Sequence, residues 1–279
     1  MHDTAVALTA AGIDNARFEA RLLLSKSSGR SVEALISHGR DEAPATVVDA
    51  LRKFTARRVR REPMAYILGE REFWGIPFKV TPDVLVPRPE SETVIEAALA
   101  LLPDRTRPWR ILDLGAGSGC LLLTLLKEFP NARGIGIDVS PAALEVARTN
   151  AATLDLAGRA SLRAGDWRQS EWEASLGEPF DLVVSNPPYI ETAAIDGLMP
   201  EVARHEPRVA LDGGWDGYDA YRRIAAAGRK LITKGGWLLV EAGDGQATEI
   251  ARIFVSAGLA PQAPWKDLAG VDRVVPGKH

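Results

Sequence analysis

The chain has a single cysteine in 279 residues, Cys120. An internal disulfide is therefore excluded, and so is a zinc cage built from thiolates. Histidine is nearly as scarce. His2, His38, His205 and His279 are scattered without metal-ligand spacing, and no Ser-His-Asp grouping with a nucleophile elbow is visible. Metal chemistry and an acyl-enzyme are not expected, and no metal site is assigned. No run approaches the ~20 apolar residues of a membrane span, and the opening "MHDTAVALTAAGID" lacks a basic stretch leading into an apolar one. No membrane association is expected, and the default location is the cytoplasm. Excess positive charge is missing too: 34 Lys and Arg against 37 Asp and Glu leave a formal net charge of −3. Broad, sequence-independent nucleic-acid binding is disfavoured, and no direct nucleic-acid partner is expected.

What is present divides into three stretches. Residues 1–62 carry helical periodicity: Phe18, Leu22 and Leu23 form one stripe, "SVEALISHG" reads as a short capped helix, and Val47, Leu51 and Phe54 form another stripe. A small helical bundle follows. Its end holds Arg52, Lys53, Arg57, Arg58, Arg60 and Arg61, a run that could meet RNA or an acidic partner but is more often just a solvated helix face. In residues 63–90, Gly and Pro punctuate short β-prone runs such as "EFWGI" and "FKV", which fits a β-hairpin linker. Residues 91–279 alternate strand and helix, the pattern of right-handed βαβ units in a parallel sheet covered on both faces. Ligands of such sheets sit beyond the carboxyl ends of the strands.

Four features fall on that rim. "DLGAGSG" (113–119) ends a strand and opens a helix, and Gly115, Gly117 and Gly119 permit a tight turn and close approach of a ligand to Ala116 and Ser118. Its glycines alternate and Cys120 stands where a dinucleotide fingerprint has its last Gly, so a pyrophosphate cradle is disfavoured. Asp138 ends the next strand, where an acid can accept both hydroxyls of a ribose; capping of the following helix is the plainer alternative. Asp166 can accept from an exocyclic amine while Trp167 offers a flat face to a purine, or Trp167 simply packs on a helix. Together these describe an adenosine site without a phosphate clamp, as S-adenosylmethionine requires.

The fourth feature is "SNPPY" (185–189). Pro187 and Pro188 stop the strand, since they have no N–H for a ladder and restrict the residue before them. A capped turn would explain that much. Beside a methyl donor, however, the Asn186 side-chain oxygen and the Pro187 carbonyl become two acceptors for the hydrogens of an –NH₂ group, with Pro188 stiffening the loop and Tyr189 walling a planar substrate.

The glycine loop, Asp138 and "NPPY" resemble the class I S-adenosylmethionine-dependent methyltransferases that act on planar nitrogens. With "YILGEREFWG" (66–75), "LVPRPESE" (85–92), "EPRVALDGGWDGYDAYRRI" (206–224) and "DLAGVDRVV" (267–275), the likeness narrows to the peptide chain release factor glutamine methyltransferase family. Ser91 stands where that family commonly has Thr, and "VEAG" where "EIG" is typical. The resemblance implies a Rossmann-like α/β fold with a mostly parallel seven-stranded sheet, behind a five-helix substrate-recognition domain and a hairpin. It implies methyl transfer to the glutamine side chain of the Gly-Gly-Gln motif of bacterial release factors, with S-adenosylhomocysteine as product. Gly115–Gly119, Asp138, Asp166, Trp167 and Asn186 would hold the cofactor, Asn186, Pro187, Pro188 and Tyr189 the glutamine amide, and "LVPRPESE" one pocket wall. A monomer is expected. A ribosomal-protein glutamine, an adenine or rRNA base, and a non-catalytic cofactor-binding scaffold stay open as rivals.

Overall fold

A computed structural model describes residues 1–37 and 42–279, which form two compact units. The first comprises Met1–Glu70 together with residues 199–205. It is carried by α1 (His2–Ala10), α2 (Ala16–Ser28), α3 (Val32–Ser37), α4 (Ala45–Val59) and α5 (Met64–Leu68). The helix expected over "SVEALISHG" is α3; His38 and Gly39 lie outside the described residues. Leu8, Leu23, Leu51 and Ile67 close one small core, each worth about 2 kcal/mol of apolar burial. On α2 the buried stripe is Ala16, Ala20 and Leu23, and Phe18 is 58% exposed, so the inward face is one step round from the expected one. Small side chains face in there because α1 and α4 both pack on α2.

Two expectations about this region change. Residues 64–68, read as the start of the hairpin, are α5, with Pro63 before it and Gly69 closing it in a left-handed conformation. Much of the basic run is internally paired: Arg58 donates to Glu19 (2.6 Å) and Glu201 (2.8 Å), Arg61 to Glu201 (2.9 Å), and Arg57 to Glu62. These arginines hold the unit together, since a nearly buried guanidinium needs its carboxylates.

The second unit comprises Arg71–Leu198 and Glu206–His279. The hairpin is β1 (Glu70–Phe73) and β2 (Ile76–Lys79). There follow α6 (Glu92–Leu101), β3 (Arg110–Leu114), α7 (Cys120–Glu128), β4 (Arg133–Asp138), α8 (Pro141–Thr153), β5 (Ala160–Ala164) and β6 (Phe180–Ser185). Past α9 (Pro200–His205) of the helical unit come α10 (Asp219–Leu231), β7 (Ile232–Glu241), α11 (Ala247–Ser256), β8 (Ala260–Pro261), β9 (Trp265–Lys266) and β10 (Asp272–Lys278). Among the described residues the sheet has eight strands, in the order β5-β4-β3-β6-β7-β10-β8, with β9 also on β10. The count exceeds the seven expected because the two-residue strands β8 and β9 share one partner. Strands β3 to β7 pair in parallel and β10 is antiparallel.

Side chains alternate between the faces of a strand, and here that alternation places the chemistry. Ile111, Leu182, Val184 and Leu239 enter the core under α6 and α7. Leu112, Val183, Leu238 and Val240 enter the core under α10 and α11. One step beyond the first set, the alternation brings Asp113, Asn186 and Glu241 to the α6–α7 face at the carboxyl ends of three neighbouring strands. The hairpin is tied to this unit by Trp74, whose backbone N–H donates to Glu92 (2.7 Å) and whose indole donates to Glu128 (2.8 Å). Asn150, buried on α8, accepts from Lys79 N–H and donates to the carbonyls of Lys79 and Ser118. One amide thus pins the end of β2 to the glycine loop.

Candidate active site

At the carboxyl ends of β3 to β6 lies a cavity of about 470 Å³, within the range of small-molecule sites. Its wall includes the glycine loop, Asp138, Trp167 and Asn186, all from the second unit. Gly115, Gly117 and Gly119 adopt φ of 78°, 52° and 82°, the region that costs an L side chain most. At Gly115 a Cβ would also stand 3.1 Å from the Trp167 ring, so indole and loop backbone are in direct contact. The Gly115 and Ala116 N–H groups both donate to the Ile137 carbonyl (2.9 Å each), which clamps the loop onto β4.

Asp138 completes the clamp. Its two oxygens accept from Gly117 N–H and Ser140 N–H, each at 2.8 Å. The cap of α8 is Ser140, whose hydroxyl accepts from Ala143 N–H, so Asp138 is left facing the cavity. Burial raises its pKa, opposed by those N–H donors. Each carboxylate oxygen has a second lone pair for a vicinal diol.

The other expected residues fare differently. Asp166 lines the cavity, but both its oxygens are closed on the Arg168 guanidinium (2.8 and 2.9 Å), which holds its carboxyl below the usual range. Among the four residues of NPPY, Asn186 and Pro188 line the cavity. Pro187 is buried. Tyr189, expected as a wall, packs its ring toward the α10–α11 core, next to Gly243. The Gln246 side chain holds its carbonyl at 3.1 Å, which draws the chain after Pro188 away from the opening. Burial pushes Tyr189 to about 12 and Cys120 also to about 12, so neither is an anion at neutral pH.

Glu241 escaped the sequence reading, and Ser91, expected only as part of a pocket wall, has a specific partner. The Asn186 side-chain nitrogen donates to the Ser91 hydroxyl (3.1 Å), and the Ser91 hydroxyl lowers the pKa of the Glu241 carboxyl against a larger rise from burial. Glu241 is 1% exposed, and burial pushes it up to about 7. Its signal was an acid ending the apolar run "WLLVE", on a stripe that is otherwise buried.

Three of the four arginines on the wall are paired with carboxylates, and the fourth, Arg223, donates to the Arg168 carbonyl (3.3 Å). Arg88 donates twice to Glu206 (2.7 and 2.8 Å), Arg168 is held by Asp166, and Arg208 faces Asp212. A cavity with a carboxylate, a bare glycine backbone and an indole, and with three of its four arginines neutralised, suits an uncharged nucleoside better than a pyrophosphate. Among the described residues no group of His, Cys, Asp and Glu is arranged to hold a metal ion, and no helix is long and apolar enough to cross a membrane.

A mostly parallel sheet of this order, with a cavity on its carboxyl rim, is the fold of the class I S-adenosylmethionine-dependent methyltransferases. Comparison with known proteins agrees: residues 106–244 match a model described as a methyltransferase domain, and residues 1–69 one described as the PrmC N-terminal domain. A methyltransferase from Pyrococcus furiosus shares the fold at 16% identity, with a TM-score of 0.52 over 81% of this chain and 97% of that one. The chain is 46% identical to the release factor glutamine methyltransferase of Rhodospirillum rubrum, over 95% of this chain and 80% of that one. To the enzyme of the same name from Bradyrhizobium diazoefficiens it is 44% identical, over 97% and 91%. The chain belongs to the release factor glutamine methyltransferase family.

Proposed function

We propose that this chain transfers the methyl group of S-adenosylmethionine to the side-chain nitrogen of the glutamine in the Gly-Gly-Gln motif of peptide chain release factors. The supporting observation is the pose of Asn186. Its amide nitrogen is taken by Ser91, so its oxygen is the atom left to accept from a substrate –NH₂ in the cavity.

Bound S-adenosylmethionine supplies a methyl group activated by the sulfonium. The loop 115–119 would lay its bare main chain against the nucleoside, Asp138 would accept the ribose hydroxyls on its spare lone pairs, and the Trp167 indole would flank the base. Asp166 marks the base end and orders the Arg168 segment rather than donating a free carboxylate. At the other end, Asn186 Oδ1 and the Pro187 carbonyl each accept one hydrogen of the glutamine amide. An amide nitrogen is a poor nucleophile because its lone pair is delocalised into the carbonyl. Orienting it in line with the methyl group is therefore the main service the protein renders. Pro188 walls the substrate and Tyr189 anchors the loop from behind. The helical unit, residues 1–62 and on through α5, recognises the release factor.

The reading is tested with radiolabelled S-adenosylmethionine and, separately, a release factor, its Gln→Ala variant, a ribosomal protein and DNA. Label on the release factor that disappears with the Gln→Ala change is expected; label that survives it refutes the substrate. Asn186→Ala should lower kcat by about 10²–10³-fold, the usual loss for one aimed hydrogen-bonding group, with cofactor affinity only partly reduced. Near-normal turnover would refute the role of that amide.

A further inference from the structure

Main-chain groups cannot exchange donor for acceptor, and two of them fix the side chain of Gln246, the residue before α11. The Gly243 N–H donates to its Oε1 (3.0 Å), and its Nε2 donates to the Tyr189 carbonyl (3.1 Å). One orientation of the amide satisfies both; the reverse would set donor against donor and acceptor against acceptor. The Tyr221 hydroxyl, which donates to the Glu241 main-chain carbonyl (2.8 Å), also stands 3.4 Å from Oε1, on the accepting side. Bare backbone closes round the bond. A Cβ at Gly217 would stand 2.6 Å from the Tyr189 oxygen and 2.9 Å from Nε2, and a Cβ at Gly243 would stand 2.7 Å from Oε1. Gln246 thus ties the end of β7 to the loop after β6 at a point without slack.

The Tyr189 carbonyl lies two peptide units beyond that of Pro187. Those units are planar and the rings of Pro187 and Pro188 lock φ, so a displacement at Tyr189 passes back along the loop instead of being absorbed. We propose that Gln246 is a positioning residue for methyl transfer: by holding the Tyr189 carbonyl it sets where the Pro187 carbonyl and Asn186 stand against the reacting nitrogen. This rests on the roles given to those two acceptors above. Gln246 itself lies off the cavity wall, so it acts only through the loop.

The test uses the full chain with release factor as substrate. Gln246→Met fills the same space without a hydrogen bond to either main-chain group. It should lower kcat about tenfold, the loss for a shift of roughly half an ångström at the reacting pair, while S-adenosylhomocysteine affinity by calorimetry stays at the wild-type value. Gln246→Glu separates polarity from packing. As an anion it can accept from Gly243 N–H but sets an oxygen against the Tyr189 carbonyl; protonated, it donates there and restores both bonds. Its rate relative to wild type should therefore rise as pH is lowered from about 9 to about 5, where carboxyl groups raised by burial titrate. Around this position Glu241, Glu90, Arg273 and Arg88 act on the adjoining Tyr189, and Glu249 sits in the first turn of α11. All of them are shared with the wild type, so the ratio isolates the new carboxyl. Wild-type kcat in Gln246→Met, loss of kcat and cofactor affinity in equal proportion, or a Gln246→Glu ratio that does not change with pH would each overturn the proposal. A wild-type enzyme that labels no release factor would instead refute the substrate reading on which the proposal stands.

Discussion

Gly213 lies outside the cavity wall, yet a side chain there would press directly on the loop after β6. Its N–H donates to the Ile190 carbonyl (2.8 Å), and Ile190 forms an isolated parallel bridge with Asp212, so the 211–214 segment backs the loop directly. A Cβ at 213 would stand 2.8 Å from Tyr189 Cα and 2.9 Å from the carbonyl oxygens of Pro188 and Gly217. These neighbours are main chain, not the yielding tips of side chains. Ordinary contact begins at 3.4 Å, so Gly213→Ala must push the loop by roughly 0.5 Å, at the 1–3 kcal/mol usual for overpacking. If a misplacement of about 1 Å costs about 10²-fold, half of that costs about tenfold, or about 1.4 kcal/mol of barrier. The assay is single-turnover methyl transfer at saturating cofactor, with S-adenosylhomocysteine affinity and the melting curve measured on the same preparation. The expected result is a tenfold slower transfer with cofactor affinity retained, because the glycine loop and Asp138 belong to other strands. Gly158→Ala, where a Cβ meets nothing within 4 Å, serves as the silent control. Unchanged transfer in Gly213→Ala, or loss of rate and cofactor affinity in equal proportion, would refute the reasoning.

Asp138→Ala removes the acceptor of two loop N–H groups as well as the ribose partner. Cofactor affinity should fall about 10²-fold or more by calorimetry, at 1.5–3 kcal/mol for each charged hydrogen bond; a change within a few-fold would contradict the clamp. Asp113 is buried, has an unpartnered Oδ1 and is raised to about 7, so the folded state keeps a proton that the unfolded chain releases near 4. The stability it contributes is full below about 4 and lost as pH rises through about 7, so Asp113→Asn should gain on the wild type in melting temperature across that window. A pH-independent difference would refute this. Glu201→Gln leaves Arg58 and Arg61 without their shared carboxylate and should destabilise the helical unit by about 1–3 kcal/mol. Hydrogen exchange in α4 reads this directly, and unaltered protection would show the network to be idle.

The parts of the site that were legible in the sequence are those whose chemistry is local. The 113–119 turn, Asp138 and SNPPY each announce themselves within a few residues, because glycine conformation and proline geometry are properties of short segments. Partners set by the fold were not legible. Asn186 and Ser91 are 95 positions apart, and nothing near either residue signals the other. The arginines at 58 and 61 looked like a free basic face because Glu19 and Glu201 come from elsewhere in the chain. Helix α5 was hidden by Pro63 and Gly69, which read as loop punctuation but in fact bracket five helical residues. Helix α6 and strand β10 went unread: one follows the proline-rich 81–89 segment, and the other depends on β7 for its pairing.

Asn150 has a practical consequence for anyone recombining relatives of this enzyme. Because its one amide joins the end of β2 to the carbonyl of Ser118, the hairpin is not a self-contained cassette. All three bonds of Asn150 run to main-chain atoms, so a crossover between the hairpin and α8 keeps the tie wherever the parent that supplies α8 carries an asparagine at 150, whichever residues stand at 79 and 118.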